Sequence, residues 1–463
     1  MKRSYSTSAL LTALAGTALL LSARRGTSPG QRRRQAECRV VVVGARFGGL
    51  HAALRLAGKP GVDLTVIDSH NHHLFQPLLY QVATAALAPS DIASPLRGTI
   101  PADGSTRVLV GSATGIDTTS RHVAWDGGSV PYDELIIATG SMPSYFGHSD
   151  WTRAAPGLKT LDDALHLRRR ILMAFERASR AGGLERERLL TFVLIGGGPT
   201  GVEMAGSIAE LAHDLLRHDY NMPGAKARIV LIEAGDRVLP EFTPDLSQNA
   251  AGALGQLGVD IRTGTRVTGI EEGVVHLHYE TLAAETVIWT AGTAATPVAD
   301  WLGVKPAHGG RVPVGADLSV AGHPEVRVIG DASLAKNVYG KPLPGLAPVV
   351  KQQGRYAADA ILRRFRRGRA PAPSAYRDYG TLATIGRGRA VAEFGRVHLT
   401  GEIAWLLWAV AHIFFLIGFR NRVMVSAQWA FAYATRRRTD RVIIGGLAAR
   451  SALPGQPPVA KPG

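Results

Sequence analysis

From Arg39 onward the chain alternates short apolar runs with glycine-rich turns and amphipathic stretches, the pattern of strands feeding helices. Val40–Val43 predicts a strand, a glycine turn follows, Gly49–Leu56 predicts a helix, and "DLTVID" returns as a strand ending at Asp68. A second unit repeats the order, with Leu189–Ile195 as strand, a helix from Gly201, and "ARIVLIEAG" carrying Glu233 at its tip. Two such βαβ units, roughly 150 residues apart, predict two dinucleotide-binding domains, each a parallel sheet covered by helices. "YDELIIATGS" (Tyr132–Ser141), "AETVIWTAGT" (Ala284–Thr293) and "EVRVIGDAS" (Glu325–Ser333) add three strand tips, with Asp331 just past Gly330.

The pattern changes at both ends. Residues 1–36 read as a basic extension whose apolar run, Ala9–Leu21, is too short to span a bilayer comfortably. It is a signal-like or anchor segment, a transit peptide or a dispensable extension. Beyond the linker "APAPS" the chain is rich in Trp and Phe, and Ile403–Phe419 gives seventeen residues with only His412 polar, by length a marginal spanning helix. The expected fold is α/β: two Rossmann-like domains, the first from 37–160 and 295–372 and the second from 161–294, then a C-terminal helical region, 373–463. Cutting after about Ser374 is expected to leave the two domains folded.

Charge sharpens this picture. The net +16 is made of +7 in residues 1–36, +14 in residues 351–463 and −5 between them. Basic ends flanking apolar stretches suit an anionic membrane surface; a nucleic-acid enzyme would line its cleft with the positive charge, so no nucleic-acid partner is expected. Cys38 stands alone, which excludes an intrachain disulfide and any paired-cysteine chemistry. The histidines, among them adjacent His72 and His73, lack a third ligand at zinc spacing, and no metal site is expected.

The second unit carries an intact G-x-G-x-x-G at Gly196, Gly198 and Gly201. Glycine permits the tight turn and the approach of backbone to pyrophosphate, while the helix N-terminus supplies donors and positive dipole. Glu233 stands where a carboxylate accepts from the ribose 2′-OH, favouring NADH over NADPH. The first unit keeps Gly44 and Gly49 but has Arg46 in the middle, with Asp68 as its ribose carboxylate. Two dinucleotides in series imply hydride transfer from nicotinamide to flavin.

"NHHLFQPLLYQVATAALAPSDIASPLR", "GGGPTGVE" and "LPGLAPVVKQQG" resemble the type II NADH dehydrogenases, single-subunit NADH:quinone oxidoreductases that do not pump protons. The resemblance runs from about Cys38 to Arg441; Arg46 departs from it. It implies FAD on Gly44, Gly49, Asp68, Thr139, Gly140 and Asp331, with Arg46, Gly48 and Gly330 in the same segments, and NADH on Gly196, Gly198, Gly201 and Glu233. It implies Gln352 and Gln353 at the quinone site and Glu203 as an acid near the nicotinamide–flavin–quinone junction, a helix-capping role being the alternative. The C-terminal helices are expected to lie flat on a bilayer, flanked by Arg420, Arg422 and Arg436–Arg438 with Trp405, Trp408 and Trp429 between; a homodimer interface is the other use of that segment. The expected place is the cytoplasmic face of a bacterial inner membrane, or the mitochondrial inner membrane if residues 1–36 are a transit peptide. Two rivals stand beside this reading: a sulfide:quinone oxidoreductase, which works through cysteine sulfurs, and a non-catalytic or FAD-impaired flavoprotein, for which Arg46 is the evidence.

Overall fold

The computed structural model describes residues 38–222, 224–367, 372–435, 438 and 440–443. Ala9–Leu21 and the rest of the N-terminal extension, like Arg436 and Arg437, lie outside them.

Valine-rich Cys38–Val43 is almost wholly buried because it is the centre of a six-stranded sheet, and both faces of a parallel sheet are covered. It pairs in parallel with Val62–Asp68 on one side and Glu134–Ile137 on the other, and His323–Val328 and Thr106–Val110 extend the sheet. The register sets Val43 opposite Ile67 and Ile137, and Ile137 opposite Val328. Everything that follows these residues therefore emerges along one edge. The second sheet runs Val259–Arg262, Arg228–Ile232, Thr191–Ile195, Thr286–Trp289, with Ile195 opposite both Ile232 and Trp289. Its first strand starts at Thr191 and not at Leu189, because Gly183–Leu189 is a helix that Leu190 closes by donating to the Arg186 carbonyl. The helices start earlier than the glycine pattern suggests, at Phe47 and Pro199.

Each glycine loop is drawn tight against its helix. A Cβ on Gly49 would stand 1.7 Å from the Gly44 carbonyl oxygen, and one on Gly201 would stand 1.9 Å from that of Gly196. Gly44 and Gly196 hold φ of +90° and +113°, which side chains rarely adopt. Cys38 is buried at the start of the central strand, and burial, then the charges of Glu134 and Asp133, pushes its thiol up to about 11.

The C-terminal region is not helical throughout. It opens with an antiparallel sheet, Thr381–Gly386, Arg389–Phe394 and Val397–Thr400, which lies on the helix Pro199–Asp214 so closely that a Cβ on Gly206 would reach 1.7 Å from the Ile385 carbonyl oxygen. Nor is Ile403–Phe419 one helix. Gly401–Phe415 ends as Leu416 turns extended and Gly418 takes φ +89°, and Phe419–Thr435 begins a second helix. No helix among the described residues is long and apolar enough to cross a membrane. Ala383, Ile385, Val391, Trp408, Leu416 and Val425 share one core with Leu167, Val202 and Ile208 of the second domain, so the tail is not detachable: a cut near Ser374 would strip that core. Three side chains then pin the chain beyond the hairpin. Arg438 donates to the Thr84 and Ser207 carbonyls at 2.7 and 2.9 Å, Asp440 pairs with buried Arg168, and Arg441 pairs with Asp219.

Gly206→Ala is expected to cost about 2–4 kcal/mol, because backbone, not a flexible side chain, blocks its Cβ. Gly252→Ala, on an exposed helical position with nothing within 4 Å, is expected to stabilise by about 0.5–1 kcal/mol. Thermal melts of both variants check the pair.

Candidate functional site

The edge of the first sheet gathers the residues that the sequence places on FAD. Gly44 donates to the Ile67 carbonyl at 2.8 Å, and Asp68 accepts from the N–H of Ala45 at 2.5 Å and of His70 at 2.8 Å. Burial pushes the Asp68 carboxyl up, but the hydrogen bonds from His70 and Ala45 outweigh it and hold the group below the usual carboxylate range. Thr139 bonds Thr296 through their hydroxyls at 2.6 Å, and Gly140 beside it has φ +74° with open space around. Gly330 and Asp331 form a short 3₁₀ turn, where Asp331 accepts from the Ser141 hydroxyl at 2.8 Å. Ser141, Lys159, Gly330, Asp331 and Gln353 line a cavity of about 230 Å³. Gly48 is packing: its Cβ would meet Ile329 and Val350 at 2.9 Å. Arg46 caps the helix Phe47–Leu56 in extended backbone.

At the second sheet's edge, Glu233 accepts from the N–H of Gly197 and of Gly235, both at 2.6 Å. A Cβ on Gly198 would touch nothing within 4 Å, although its neighbours in the loop have no such room. That cradle is open on the side a pyrophosphate would take, and the donor set of both loops fits a dinucleotide.

Glu203 sits one turn into the helix Pro199–Asp214 and points away from its own cap. It lines a second cavity, about 100 Å³, with Tyr80, Gln81, Thr384, Trp408 and Trp429. Burial pushes its carboxyl up to about 8, offset in part by a backbone hydrogen bond from Thr384, so it is mostly a neutral acid at pH 7. Trp429 donates to Gln81 at 2.8 Å and Gln81 donates to the Tyr80 hydroxyl at 2.9 Å. From Trp408 the rings continue through His412, 4.3 Å away, and Phe75, 6.1 Å further, to Phe47, which follows Arg46 in the first glycine loop. Burial pushes His412 down to about 4, leaving it neutral.

The two glutamines part company. Gln353 is 4% exposed and its side-chain oxygen accepts from Gly330 N–H at 2.7 Å, bracing the Asp331 turn. Gln352 is tied at both ends of its amide to the Arg377 backbone, at 2.9 and 3.0 Å, and lines neither cavity. The ammonium of Lys351 beside it lies 4.8 Å over the Phe415 ring. Arg438 is buried in the Glu203 cavity wall, not on an outer flank, and Trp408 is buried with it. The residues that sequence reasoning missed are Tyr80, Gln81, Lys159, Thr384 and His412. Only Tyr80 and Gln81 carry a signal, since both fall in "FQPLLYQVATAAL"; the others become neighbours through the fold.

Residues 38–354 match the pyridine nucleotide-disulphide oxidoreductase family, and residues 379–438 match the NDH2 C-terminal domain. The chain is 40% identical over 423 residues to the type II NADH:quinone oxidoreductase Ndh of Mycobacterium tuberculosis, covering 88% of this chain and 90% of that one. The structure of NDH2 from Plasmodium falciparum in complex with NADH matches with a TM-score of 0.80 at 20% identity, over 88% of this chain and all 100% of the other. The sulfide:quinone oxidoreductase of Aquifex aeolicus matches with a TM-score of 0.65 at 18% identity, over 83% and 91%; both structures bear on the fold alone, and the lone buried Cys38 offers no sulfur chemistry. With the two family matches and the 40% identity in agreement, the chain belongs to the type II NADH:quinone oxidoreductases, within the pyridine nucleotide-disulphide oxidoreductase family.

Proposed function

We propose that the chain passes two electrons from NADH through FAD to a membrane quinone without pumping protons, with its two sheet edges as the dinucleotide sites and Glu203 as the acid on the quinone side. The bound flavin supplies the electron chemistry, accepting a hydride and giving up two electrons. The protein's part is to bind, orient and move protons. Gly196, Gly198 and Gly201 hold the NADH pyrophosphate, and Glu233 selects NADH by repelling a 2′-phosphate. Gly44, Gly49, Asp68, Thr139, Gly140, Gly330 and Asp331 hold FAD. Gln353 braces the flavin turn, Gln352 ties the same helix to the Arg377 lead-in of the C-terminal sheet, and Lys351 over the Phe415 ring joins that helix to the membrane hairpin, which supports this helix as the quinone's border.

The observation that carries the reading is Glu203, a half-buried acid in a cavity between the helix Pro199–Asp214 and an aromatic hairpin, its carboxyl pushed up to about 8 by desolvation. Reducing a quinone to quinol consumes two protons, one more than the hydride brings. An acid that is protonated at pH 7 can give that proton and recover it. Because the acid form is the donor, the quinone step falls as pH rises through about 8.

The hairpin supports membrane docking. Ile403, Leu406, Val410, Phe414 and Phe419 are exposed, 59% for Leu406 and 67% for Phe414, while Ala404, Trp408 and Ala409 on the other side are buried. One apolar face on the body and one in the open is the arrangement of a helix lying in a lipid interface. Arg420 and Arg422 border it, and we place the molecule on a cytoplasmic leaflet, whose anionic lipids attract such residues.

Glu203→Gln is expected to slow quinone-dependent flavin reoxidation and abolish its decline above pH 8, leaving reduction by NADH near the natural rate. A stopped-flow pH series reads both steps, and a decline that persists in the variant removes Glu203 from the proton path. Leu406→Glu with Phe414→Glu is expected to release the protein from anionic phospholipid vesicles while NADH still reduces a water-soluble acceptor. Loss of a dimer with vesicle binding intact would assign the face to a second copy.

A further inference from the structure

The first glycine loop carries arginine where the second holds Gly198. The two positions share a backbone: Arg46 has φ −73° and ψ −151°, Gly198 φ −70° and ψ −177°, each at the cap of its helix. Neither conformation asks for glycine. Since a Cβ on Gly198 would meet nothing within 4 Å, the ligand alone reserves that position, its pyrophosphate settling on bare backbone. At Arg46 a side chain closes the same approach. The phosphates there need another hold.

The guanidinium of Arg46 makes one long hydrogen bond, 3.4 Å to the Lys159 carbonyl, and among the described residues it has no ion-pair partner. Lys159 is fixed in place. Its N–H donates to Asp163 at 2.9 Å, within the Thr160–Asp163 capping box that starts the helix Leu161–Ala178. Its ammonium donates to Ser141 at 3.1 Å and stands 4.0 Å from Asp331, in the wall of the 230 Å³ cavity. An ammonium has three donors, and one is used. Burial pushes its pKa down, Asp331 opposes that and Arg46 adds to it. The Arg46 guanidinium thus meets the backbone of Lys159, whose ammonium stands in the cavity wall, and among the described residues the one ion pair of either cation is the 4.0 Å approach of Lys159 to Asp331.

We infer that Arg46 and Lys159 form a two-cation clamp on the FAD pyrophosphate, replacing the backbone contact that the second glycine makes possible. The inference rests on the assignment of the first glycine loop to FAD. A pyrophosphate brings two negative charges, and the guanidinium offers it paired donors in one plane while the ammonium offers a point charge. Affinity held in this way is electrostatic and weakens with salt.

Equilibrium release of FAD from the full-length holoprotein, followed by the fluorescence of free flavin, tests the clamp. Arg46→Gln keeps the Cβ and removes the charge; it is expected to raise the FAD Kd about tenfold or more and to flatten its salt dependence. Lys159→Met is expected to do the same. Arg46→Gly, which reopens the backbone approach, is expected to recover part of the loss. NADH affinity, carried by the other sheet, together with circular dichroism reports that the variants fold. FAD held by Arg46→Gln as tightly as by the natural chain, with the same salt dependence, overturns the clamp and leaves the cofactor assignment standing. A natural chain that holds no FAD overturns both.

Discussion

Backbone meeting backbone with no side chain between them is the constraint on which this molecule is built. Gly49 against Gly44 and Gly201 against Gly196 hold each helix N-terminus at the edge of its sheet. The same contact recurs between elements far apart in sequence. A Cβ on Gly354 would stand 2.1 Å from the Gly48 carbonyl oxygen, so the helix Ala347–Arg367 lies directly on the helix Phe47–Leu56 and brings Gln353 to Gly330. Gly206 does likewise for the C-terminal sheet. Remove these approaches and the two sheet edges lose their neighbours.

One helix gathers most of the consequences. Pro199–Asp214 starts at the second glycine loop, turns Glu203 toward the hairpin one turn later, seats the C-terminal sheet on Gly206, and receives Arg438 at Ser207 and Glu210. Residues 203, 207 and 210 share a face because three- and four-residue steps complete a helical turn. The proposed NADH loop, the proposed proton donor and the seat of the C-terminal hairpin are thus neighbours along about three turns of one element.

The sheets were legible in sequence because each strand is a closed apolar run with a glycine or acid at its tip, and a parallel sheet then forces the tips to one edge. Gly44, Asp68, Gly330 and Asp331 met as the pattern predicts. What the pattern could not express is packing between distant segments. The hairpin break at Leu416–Gly418 hides inside an unbroken apolar run, since composition does not distinguish one helix from two that fold back. "APAPS" looks like a boundary although the chain beyond it is buried in the second domain's core. Gln352 and Gln353 look equivalent in "KQQG", yet successive helical residues point about 100° apart, and Gln353 braces the Gly330–Asp331 turn while Gln352 ties down the Arg377 strand lead-in.

The burial of Cys38 has a consequence for how the protein lives among oxidants. Thiol oxidation proceeds through an accessible thiolate, and this sulfur, closed off at the base of a central strand with its proton held, presents neither access nor charge. Peroxide or a disulfide in the surroundings finds no thiol through which to cross-link or switch the chain.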